Sequence, residues 1–270
     1  MSIVTISRGS FSMGKAVAQR VAERLGYQCV SRDVLLEASD RYNTPAIRLE
    51  QAIRDAPSWI ERLTQGKKAY IAYIQAALTR YAVQDDIVYH GLAGHLLLKN
   101  VAQVLKVRII ADMDLRVRTF MEREGCTERQ ALAQIAALDD HRRRWTQALY
   151  GVDPSDPTLY DLVLRLPAFS EDEAADLVCQ AVAKQGFQST DESRQAMRDL
   201  ALACAVKAAL IDDHPDISVG AVYGNVLIYC GPGDRRERSV KASAEAIRDQ
   251  FEGLGHLEVH AGVSPPPSAV

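Results

Sequence analysis

One segment near the start of the chain has the residue types and spacing of a phosphate-binding loop. It fits the pattern G-x-x-x-x-G-K and reads Gly9-Ser10-Phe11-Ser12-Met13-Gly14-Lys15-Ala16. The glycines let backbone amides turn toward phosphate oxygens, the amino end of a following helix adds positive potential, and Lys15 adds a full charge. We therefore expect residues 9–16 to bind the phosphates of ATP. The alternative is a glycine-rich turn that carries an ordinary surface lysine.

The last position of this loop departs from the pattern. A Ser or Thr hydroxyl there usually ligates Mg²⁺, and the chain has Ala16 instead. Because backbone amides carry phosphate binding, we expect ATP to bind without that hydroxyl, whereas the use of Mg²⁺ stays open. No protein metal site is predicted, since the five cysteines are at least 25 residues apart and no CxxC pair occurs.

The elements around the loop indicate an α/β fold. Short β-branched runs at residues 3–6, 27–31, 87–90, 107–111 and 161–166 alternate with helical stretches. Such alternation predicts parallel βαβ units, with the loop between the first strand and a helix over 16–25.

Two predictions concern the helices between these strands. Residues 33–86 contain no strand-like run and show helical periodicity, which predicts a helical flap over a site. Gly125 is predicted to end one helix, and Thr127 with Gln130 to form a capping box for the next.

The composition limits the class and location of the protein. Its 270 residues are 47% hydrophobic and 25% charged, which is typical of globular proteins and allows two domains. No apolar run approaches the roughly 18 residues that span a bilayer, and residues 1–7 do not resemble a signal peptide. The formal net charge of −3 gives no reason to expect a nucleic-acid partner. We expect a cytoplasmic protein without membrane insertion.

The sequence pattern changes after Gly186, which predicts a second module. We expect a first domain over 1–186, a linker over 187–192 and a small α+β domain over 193–263. The small domain has the predicted order helix, hairpin, helix, strand, and its hairpin turns at Tyr223-Gly224. The tail at 264–270, with three successive prolines, is predicted to be disordered.

Several short motifs follow one another in a fixed order through the first two thirds of the chain. They lie at residues 6–9, 22–26, 31–35, 114–116, 121–125, 139–145 and 160–162. In order and spacing they resemble the cytidylate kinase-like family of P-loop nucleoside monophosphate kinases, over about residues 1–185. The resemblance implies a five-stranded parallel sheet, a helical insertion that binds the nucleoside monophosphate (NMP), and a mobile lid.

The resemblance also implies roles for particular cationic side chains. In such kinases the loop holds the ATP phosphates while lid arginines surround the transferring phosphoryl group. The lid candidates lie in the run Arg142-Arg143-Arg144, where consecutive helical residues point about 100° apart. The family pattern, counted back from Gly151, favours Arg142 and Arg144, which together with Lys15 are the expected catalytic residues. The alternative is a solvated helix face paired with neighbouring aspartates.

The acceptor side matches the family less well. Arg32 and Asp33 follow the second strand at the sheet edge where ligands bind, although Asp33 could instead cap a helix. After the third strand the family usually has a Gly-Arg element, and the chain reads Tyr89-His90-Gly91. His90 is therefore the candidate contact to the acceptor phosphate, weaker than a guanidinium, or else a buried strand end. His95 has no companions at zinc-ligand spacing.

The C-terminal module loosely resembles BON domains in its order of elements and its glycine-centred hairpin. Because residues 234–238 mix both signs of charge, we expect a protein-binding, dimerising or regulatory role rather than membrane attachment. The implied partners are a nucleotide substrate and a second copy or another protein.

Three functions follow from these patterns. The leading one is an ATP-dependent nucleoside monophosphate kinase that acts on CMP or dCMP. The second is a nucleotide-binding regulator that has lost turnover and uses the C-terminal domain as its readout. The third is a phosphotransferase that acts on another small acceptor. Ala16 and His90 favour the second, whereas Lys15 and the arginine run favour the first.

Overall fold

The computed structural model describes residues 2–31, 64–91, 93–98 and 100–270. Within these residues the chain divides into two compact units. The first contains 2–31 and the described part of 84–189, and the second contains 64–83 and 190–270. No described helix is both long enough and apolar enough to cross a membrane.

A five-stranded parallel sheet forms the centre of the first unit and confirms the predicted α/β class. Its strands are β1 (Ile3–Arg8), β2 (Gln28–Val30), β3 (Ile87–His90), β4 (Val104–Ala111) and β5 (Leu162–Leu166). Their order across the sheet is β2-β3-β1-β4-β5. Because β1 pairs with β3 on one side and β4 on the other, the loop after β1 opens at the middle of the carboxyl edge, where ligands bind in such folds.

The helices are numbered in chain order along the described residues. They are α1 (Gly14–Leu25), α2 (Thr64–Ala82), α3 (Gly94–Leu97), α4 (Met113–Glu124), α5 (Glu128–Tyr150), α6 (Glu171–Val182), α7 (Asp191–Leu210) and α8 (Asp234–Ile247). Short 3₁₀ turns lie at Pro157–Leu159, Gln185–Phe187 and Arg248–Gln250.

Helices α1 and α6 cover the same face of the sheet. Their inward stripes include Val17 and Val178, which are fully buried with Val4 of β1, as expected for helices that repeat apolar residues every three to four positions. At the rim, Arg20 donates to Glu171 at 3.0 Å and links the two helices. This packing fixes the helix that begins at the phosphate loop.

Helices α4 and α5 form an antiparallel pair, and α4 ends and α5 begins with the predicted residues. Gly125 ends α4 in the left-handed conformation. The Thr127 hydroxyl accepts from the Gln130 amide while the Gln130 side chain accepts from the Thr127 amide, which confirms the capping box. The turn brings Phe120 of α4 and Ile135 of α5 into one small buried cluster.

The second unit contains a three-stranded sheet with the predicted order of elements. Its strands are β6 (Ser218–Val222), β7 (Asn225–Cys230) and β8 (Leu257–Ala261); β6 and β7 are antiparallel, and β8 is parallel to β7. Asp199 of α7 accepts from the amides of Tyr223 and Gly224 at 2.8 and 2.9 Å and so holds the hairpin turn. Gly224 is required there, because a Cβ would lie 2.6 Å from the carbonyl oxygen of Gly253.

Helix α2 belongs to this second unit, whereas the sequence placed it in a first domain over 1–186. Its apolar residues Ala72, Tyr73 and Ala76 are buried against Cys204 and Ala208 of α7. The pairing joins segments more than 100 residues apart, so no local pattern indicated it. Helix α7 also begins at residue 191, within the expected linker.

Two further predictions concern the C-terminal tail and the helical flap. The tail at 264–270, expected to be disordered, turns back so that Val270 exchanges two backbone hydrogen bonds with Val219, at 2.9 and 3.0 Å. These bonds cover part of the outer edge of β6. Of the flap predicted over 33–86, the structure describes α2, and residues 33–63 lie outside the described residues.

Candidate active site

The loop after β1 is anchored to the neighbouring strand by its main chain and by one hydroxyl. The amide of Gly9 donates to the carbonyl of Ile109 on β4 at 3.3 Å. The buried Ser12 hydroxyl lies 3.0 Å from the carbonyl of Gly9 and 3.2 Å from that of Ile109. Phe11 and Met13 adopt left-handed backbone conformations, with φ of 56° and 60°, a conformation that costs roughly 1–2 kcal/mol for such residues. The contacts to β4 offset this cost and hold the curved loop.

The amino end of α1 is open to an anion. No side chain caps it, so its first amides have no partner within the helix. Gly14 is needed here because a Cβ would lie 2.7 Å from Cβ of Arg8 and 3.4 Å from Cβ of Ile109. The absent side chain lets the helix start directly against the strands. Lys15 is exposed at this end.

Phe11 has a packing role within the loop. Its ring makes an edge-to-face contact with Phe120 of α4, with centroids 4.6 Å apart, and the guanidinium of Arg123 lies 5.9 Å from its centroid. The loop is thereby attached to the pair of helices α4 and α5 as well as to the sheet.

A cavity of about 430 Å³ opens at the carboxyl ends of β1 and β4, beside the loop. Its volume lies in the range that holds small organic ligands. The described residues that line it are Ser7, Arg8, Gly9, Ala93, His95, Arg108, Ile110, Ala111, Arg116, Asp139, Asp140, Arg142, Arg143, Thr146, Asp153, Pro154 and Ser155. They include five guanidinium groups and three carboxylates, so the lining favours an anionic ligand.

Two arginines of α5 reach the cavity. Arg142 donates from Nη1 to the carbonyl of Arg8 at 3.4 Å, which places it next to the start of the loop. Arg143 pairs with Asp140 at 2.7 Å. Hydrogen bonding from Arg143 holds the pKa of the Asp140 carboxyl below its usual value and raises the pKa of the Arg143 guanidinium. Both arginines line the cavity, and Arg142 lies where the cavity meets the loop.

Arg116 and Asp139 connect the loop to helices α4 and α5. Arg116 donates from Nε to the carbonyl of Ser10 at 2.7 Å and pairs with Asp139. Asp139 in turn accepts from the amide of Ser10 at 3.3 Å. A carboxylate thus lies on one amide of the phosphate loop. The hydroxyl of Ser10 is buried and has no hydrogen-bond partner among the described residues.

Two residues that line the cavity, an arginine and a histidine, contact a tyrosine beside it, and we call this group of three the floor. Arg108 donates to the Tyr160 hydroxyl at 3.0 Å and to the carbonyl of Pro154. Tyr160 donates to the same carbonyl at 2.9 Å. The ring of His95 lies on that of Tyr160, with centroids 4.6 Å apart. The floor therefore consists of Arg108, Tyr160 and His95.

Not all predicted catalytic residues meet at this cavity. Gly9 and Arg142 line it. Arg144 is 68% exposed and pairs with Asp140 at 2.7 Å, and Arg143 lines the cavity in its place. Lys15, at the start of α1, is not among the lining residues. The helical offset of about 100° per residue separates Arg142 from Arg144.

The predicted acceptor residues have different outcomes. His90 is the last residue of β3, is buried, and is not among the cavity residues. Arg32 and Asp33 lie outside the described residues.

Sequence reasoning missed four residues that shape the site: His95, Arg108, Arg116 and Asp139. A usable signal existed for Arg108, which with Lys106 is one of two cations in a strand that is otherwise apolar and whose side chains alternate between faces. Arg116 and Asp139 lie in two of the motifs that carry the family resemblance, at 114–116 and 139–145, so a signal existed for them as well. His95 had none, because the fold and not the local sequence brings it to the cavity.

The residues present do not provide a protein-ligated Mg²⁺ site at the loop. Ala16 has no oxygen, and the Ser12 hydroxyl is already bound to backbone carbonyls. Among the described residues, no group of three His, Cys, Asp or Glu side chains could hold a metal ion.

Comparisons with known proteins agree with this geometry. The model of the Cytidylate kinase-like family matches residues 3–167. The chain is 26% identical to the Cytidylate kinase of Halobacterium salinarum over 188 residues, which are 67% of this chain and 88% of that protein. It is 33% identical over 104 residues to the Uronate isomerase of Corynebacterium glutamicum, which are 38% of this chain and 20% of that protein. Over three curated relatives, including that isomerase, the chain spans 20% to 58% of their own length.

A solved structure shares the fold. An uncharacterized protein from Eubacterium ventriosum aligns with a TM-score of 0.54 at 20% identity, covering 68% of this chain and 100% of that one. The family match covers more than half of the chain and coincides with the sheet, the phosphate loop and the arginine-lined cavity. The chain therefore belongs to the Cytidylate kinase-like family.

Proposed function

We propose that the protein transfers the γ-phosphoryl group of ATP to a nucleoside monophosphate of the CMP or dCMP type. The observation that carries this proposal is the cavity beside the loop, where guanidinium groups from β1, β4, α4 and α5 converge. Family membership supports the nucleotide class of the acceptor, and the name of the Halobacterium salinarum relative suggests cytidine.

In the proposed reaction the loop and Lys15 bind the ATP phosphates and the cavity binds the acceptor. An oxygen of the acceptor phosphate attacks the γ-phosphorus, the bond to the bridging β-oxygen breaks, and ADP leaves. The protein itself contributes little covalent chemistry. The rate therefore depends on how it positions the two substrates and neutralises the charge of their phosphates. Arg142, next to the start of the loop, and Arg143, which also lines the cavity, are candidates for the second task.

Magnesium enters this proposal as part of the ATP substrate. It neutralises phosphate charge, and here the nucleotide and water would hold it, because Ala16 provides no ligand. More of the phosphate charge would then be neutralised by arginines than in a loop that ligates Mg²⁺, namely by Arg8, Arg116 and Arg142.

The test is a coupled assay of ADP release with ATP, Mg²⁺ and a panel of CMP, dCMP, UMP, AMP and GMP. We expect turnover that depends on a monophosphate and is fastest with a cytidine nucleotide. ATP binding by calorimetry without transfer to any monophosphate would instead support the catalytically impaired regulator.

For the second unit we propose a protein-binding or dimerising role. Val222 and Tyr223 at the hairpin turn are 55% and 75% exposed, and exposed apolar residues at a turn offer a contact surface. Sedimentation velocity of the full chain and of its Tyr223→Ser variant would test self-association. A monomer in both cases excludes dimerisation through this turn. We keep the full chain, because ending it at Gly186 would uncover Tyr73 of α2.

A further inference from the structure

His95 is a buried polar side chain that no part of the proposed reaction uses. It is 4% exposed and lines the cavity. Neither Nδ1 nor Nε2 has a hydrogen-bond partner among the described residues. Buried polar groups in native proteins are almost always paired, so two unpaired nitrogens on a residue that lines a cavity point to a ligand that pairs one of them.

The position of this ring is fixed by its surroundings. Ala93 has a left-handed backbone with φ of 60°. Gly94 packs so closely on Tyr89 that a Cβ would lie 2.5 Å from Cδ1 of that ring. On the other side the His95 ring rests on Tyr160. The imidazole is therefore held at the floor of the cavity by backbone and packing, as a recognition group needs to be.

The surroundings also keep the ring neutral. Burial, with the charges of Arg108 and Lys106, lowers the pKa of His95 to about 4. A neutral imidazole has one N–H donor and one acceptor nitrogen. Beside it, the Arg108 guanidinium provides further donors. This pattern complements a planar group that carries a donor and acceptors on one edge, and it is poorly suited to a phosphate, which lacks the donor.

The cavity has room for such a group in addition to a phosphate. Its volume of about 430 Å³ is that of a site for a small organic molecule. Arg142 lies at the carbonyl of Arg8, next to the start of the loop, whereas His95 lies beside Tyr160 and Arg108. A nucleoside monophosphate whose phosphate binds near Arg142 would have its base available to His95 and Arg108.

We propose that His95 is a specificity-determining residue that hydrogen-bonds the edge of the acceptor's nucleobase. This inference rests on the proposed function, since it takes the acceptor to be a nucleotide. Cytosine fits the floor, because its amino group can donate to the acceptor nitrogen of the imidazole while its carbonyl and ring nitrogen accept from the Arg108 guanidinium.

The experiment compares two substitutions and two probes. His95→Phe keeps a planar ring of similar size and removes both nitrogens, whereas His95→Gln keeps one donor and one acceptor. The probes are CMP and ribose 5-phosphate, which shares the phosphate and sugar and lacks the base. Affinities are measured by calorimetry on the full chain, after circular dichroism shows that each variant is folded.

We expect His95→Phe to weaken CMP binding at least tenfold and to leave ribose 5-phosphate binding within twofold, with His95→Gln recovering most of the loss. CMP should also shift the His95 ring signal in ¹⁵N-histidine spectra, assigned by its absence in His95→Phe, whereas ribose 5-phosphate should not. Equal loss for both probes would overturn the proposal and indicate a packing role. No loss for CMP would overturn it as well.

The outcomes separate this inference from the proposed function. Phosphoryl transfer to CMP that does not depend on His95 would leave the kinase function standing and exclude the base contact. CMP binding that depends on His95 without any phosphoryl transfer would support the contact and exclude turnover. Binding of neither probe to the wild type would exclude both.

Discussion

The phosphate loop and the floor of the cavity lie at the same edge of the sheet, yet they are built in different ways. The loop is a continuous stretch, residues 9–16, that combines backbone amides, a helix end and Lys15. The floor combines His95, Arg108 and Tyr160, which are brought together from three elements. A continuous site made from main chain leaves a sequence pattern, whereas a site made from distant side chains leaves almost none.

A smaller contrast lies within α5. Arg142 and Arg144 are two residues apart, but Arg142 contacts the carbonyl of Arg8 while Arg144 is exposed and bound to Asp140. Exposed ion pairs contribute little to stability. The two arginines should therefore differ in function although both carry the same charge.

The largest expected effect is the fall in kcat when Arg142, and not Arg144, is replaced. Arg142→Ala should lower kcat by about a hundredfold to a thousandfold, the usual cost of removing one group that stabilises transition-state charge. Arg144→Ala is the matched control and should change kcat less than threefold. Steady-state rates with saturating ATP and CMP provide the measurement. Equal losses in both variants would show that position in the cavity does not decide the role.

His95 in the floor should make the free energy of unfolding depend on pH. The pKa of His95 is about 4 in the folded protein and about 6.5 in an unfolded chain. The unfolded state therefore binds the proton first, so stability is retained above pH 7 and falls as the pH drops from 6.5 toward 4, by about 3 kcal/mol at pH 4.

Urea unfolding of the wild type and of His95→Gln at several pH values between 7 and 4 isolates this contribution, because the carboxylates titrate in both proteins. The difference in unfolding free energy between the two should change by on the order of 3 kcal/mol across the range. A constant difference would mean that His95 is not held neutral by its site.

Much of the first unit could be predicted from local sequence. The alternating runs predicted the parallel sheet, and Gly125, Thr127 and Gln130 predicted the turn between α4 and α5, because each is a property of neighbouring residues. The glycine spacing predicted the loop, and Gly14 is required by its close approach to Arg8.

The rest depended on contacts distant in sequence. The pairing of α2 with α7, the return of Val270 to Val219, and the place of Arg143 in the cavity all follow from tertiary packing. His95 was considered only as a zinc ligand, since a buried histidine without partners has no sequence signature. Propensity and periodicity predict single helices and strands, and they do not predict which faces of these elements pack together.

Removing the Lys15 charge from the phosphate loop should have a smaller effect than removing Arg142 from the cavity. Lys15→Ala should weaken ATP binding about tenfold to a hundredfold, because a charge-assisted hydrogen bond is worth about 1.5–3 kcal/mol. Calorimetry with ATP measures it, and Lys184→Ala, another exposed lysine of the same unit, serves as the control. Unchanged ATP affinity in folded Lys15→Ala would exclude the phosphate-loop function.

The smallest expected effect tests whether the loop is held by its main chain and one hydroxyl. Ser10 and Ser12 are both buried, with exposed fractions of 1% and 0%. The Ser12 hydroxyl bonds to loop and strand carbonyls, whereas that of Ser10 has no partner among the described residues. The two serines are thus a matched pair within one loop.

Ser12→Ala should lower the free energy of unfolding by about 1 kcal/mol, the net value of such a hydrogen bond, while Ser10→Ala should leave it unchanged or slightly raise it, since an unpaired buried hydroxyl is removed. Urea unfolding of the nucleotide-free protein measures both. Because the amides that would bind phosphate are retained in each variant, ATP affinity should fall less than in Lys15→Ala. A larger loss of stability from Ser10→Ala than from Ser12→Ala would mean that the loop is anchored through contacts other than those between Ser12, Gly9 and Ile109.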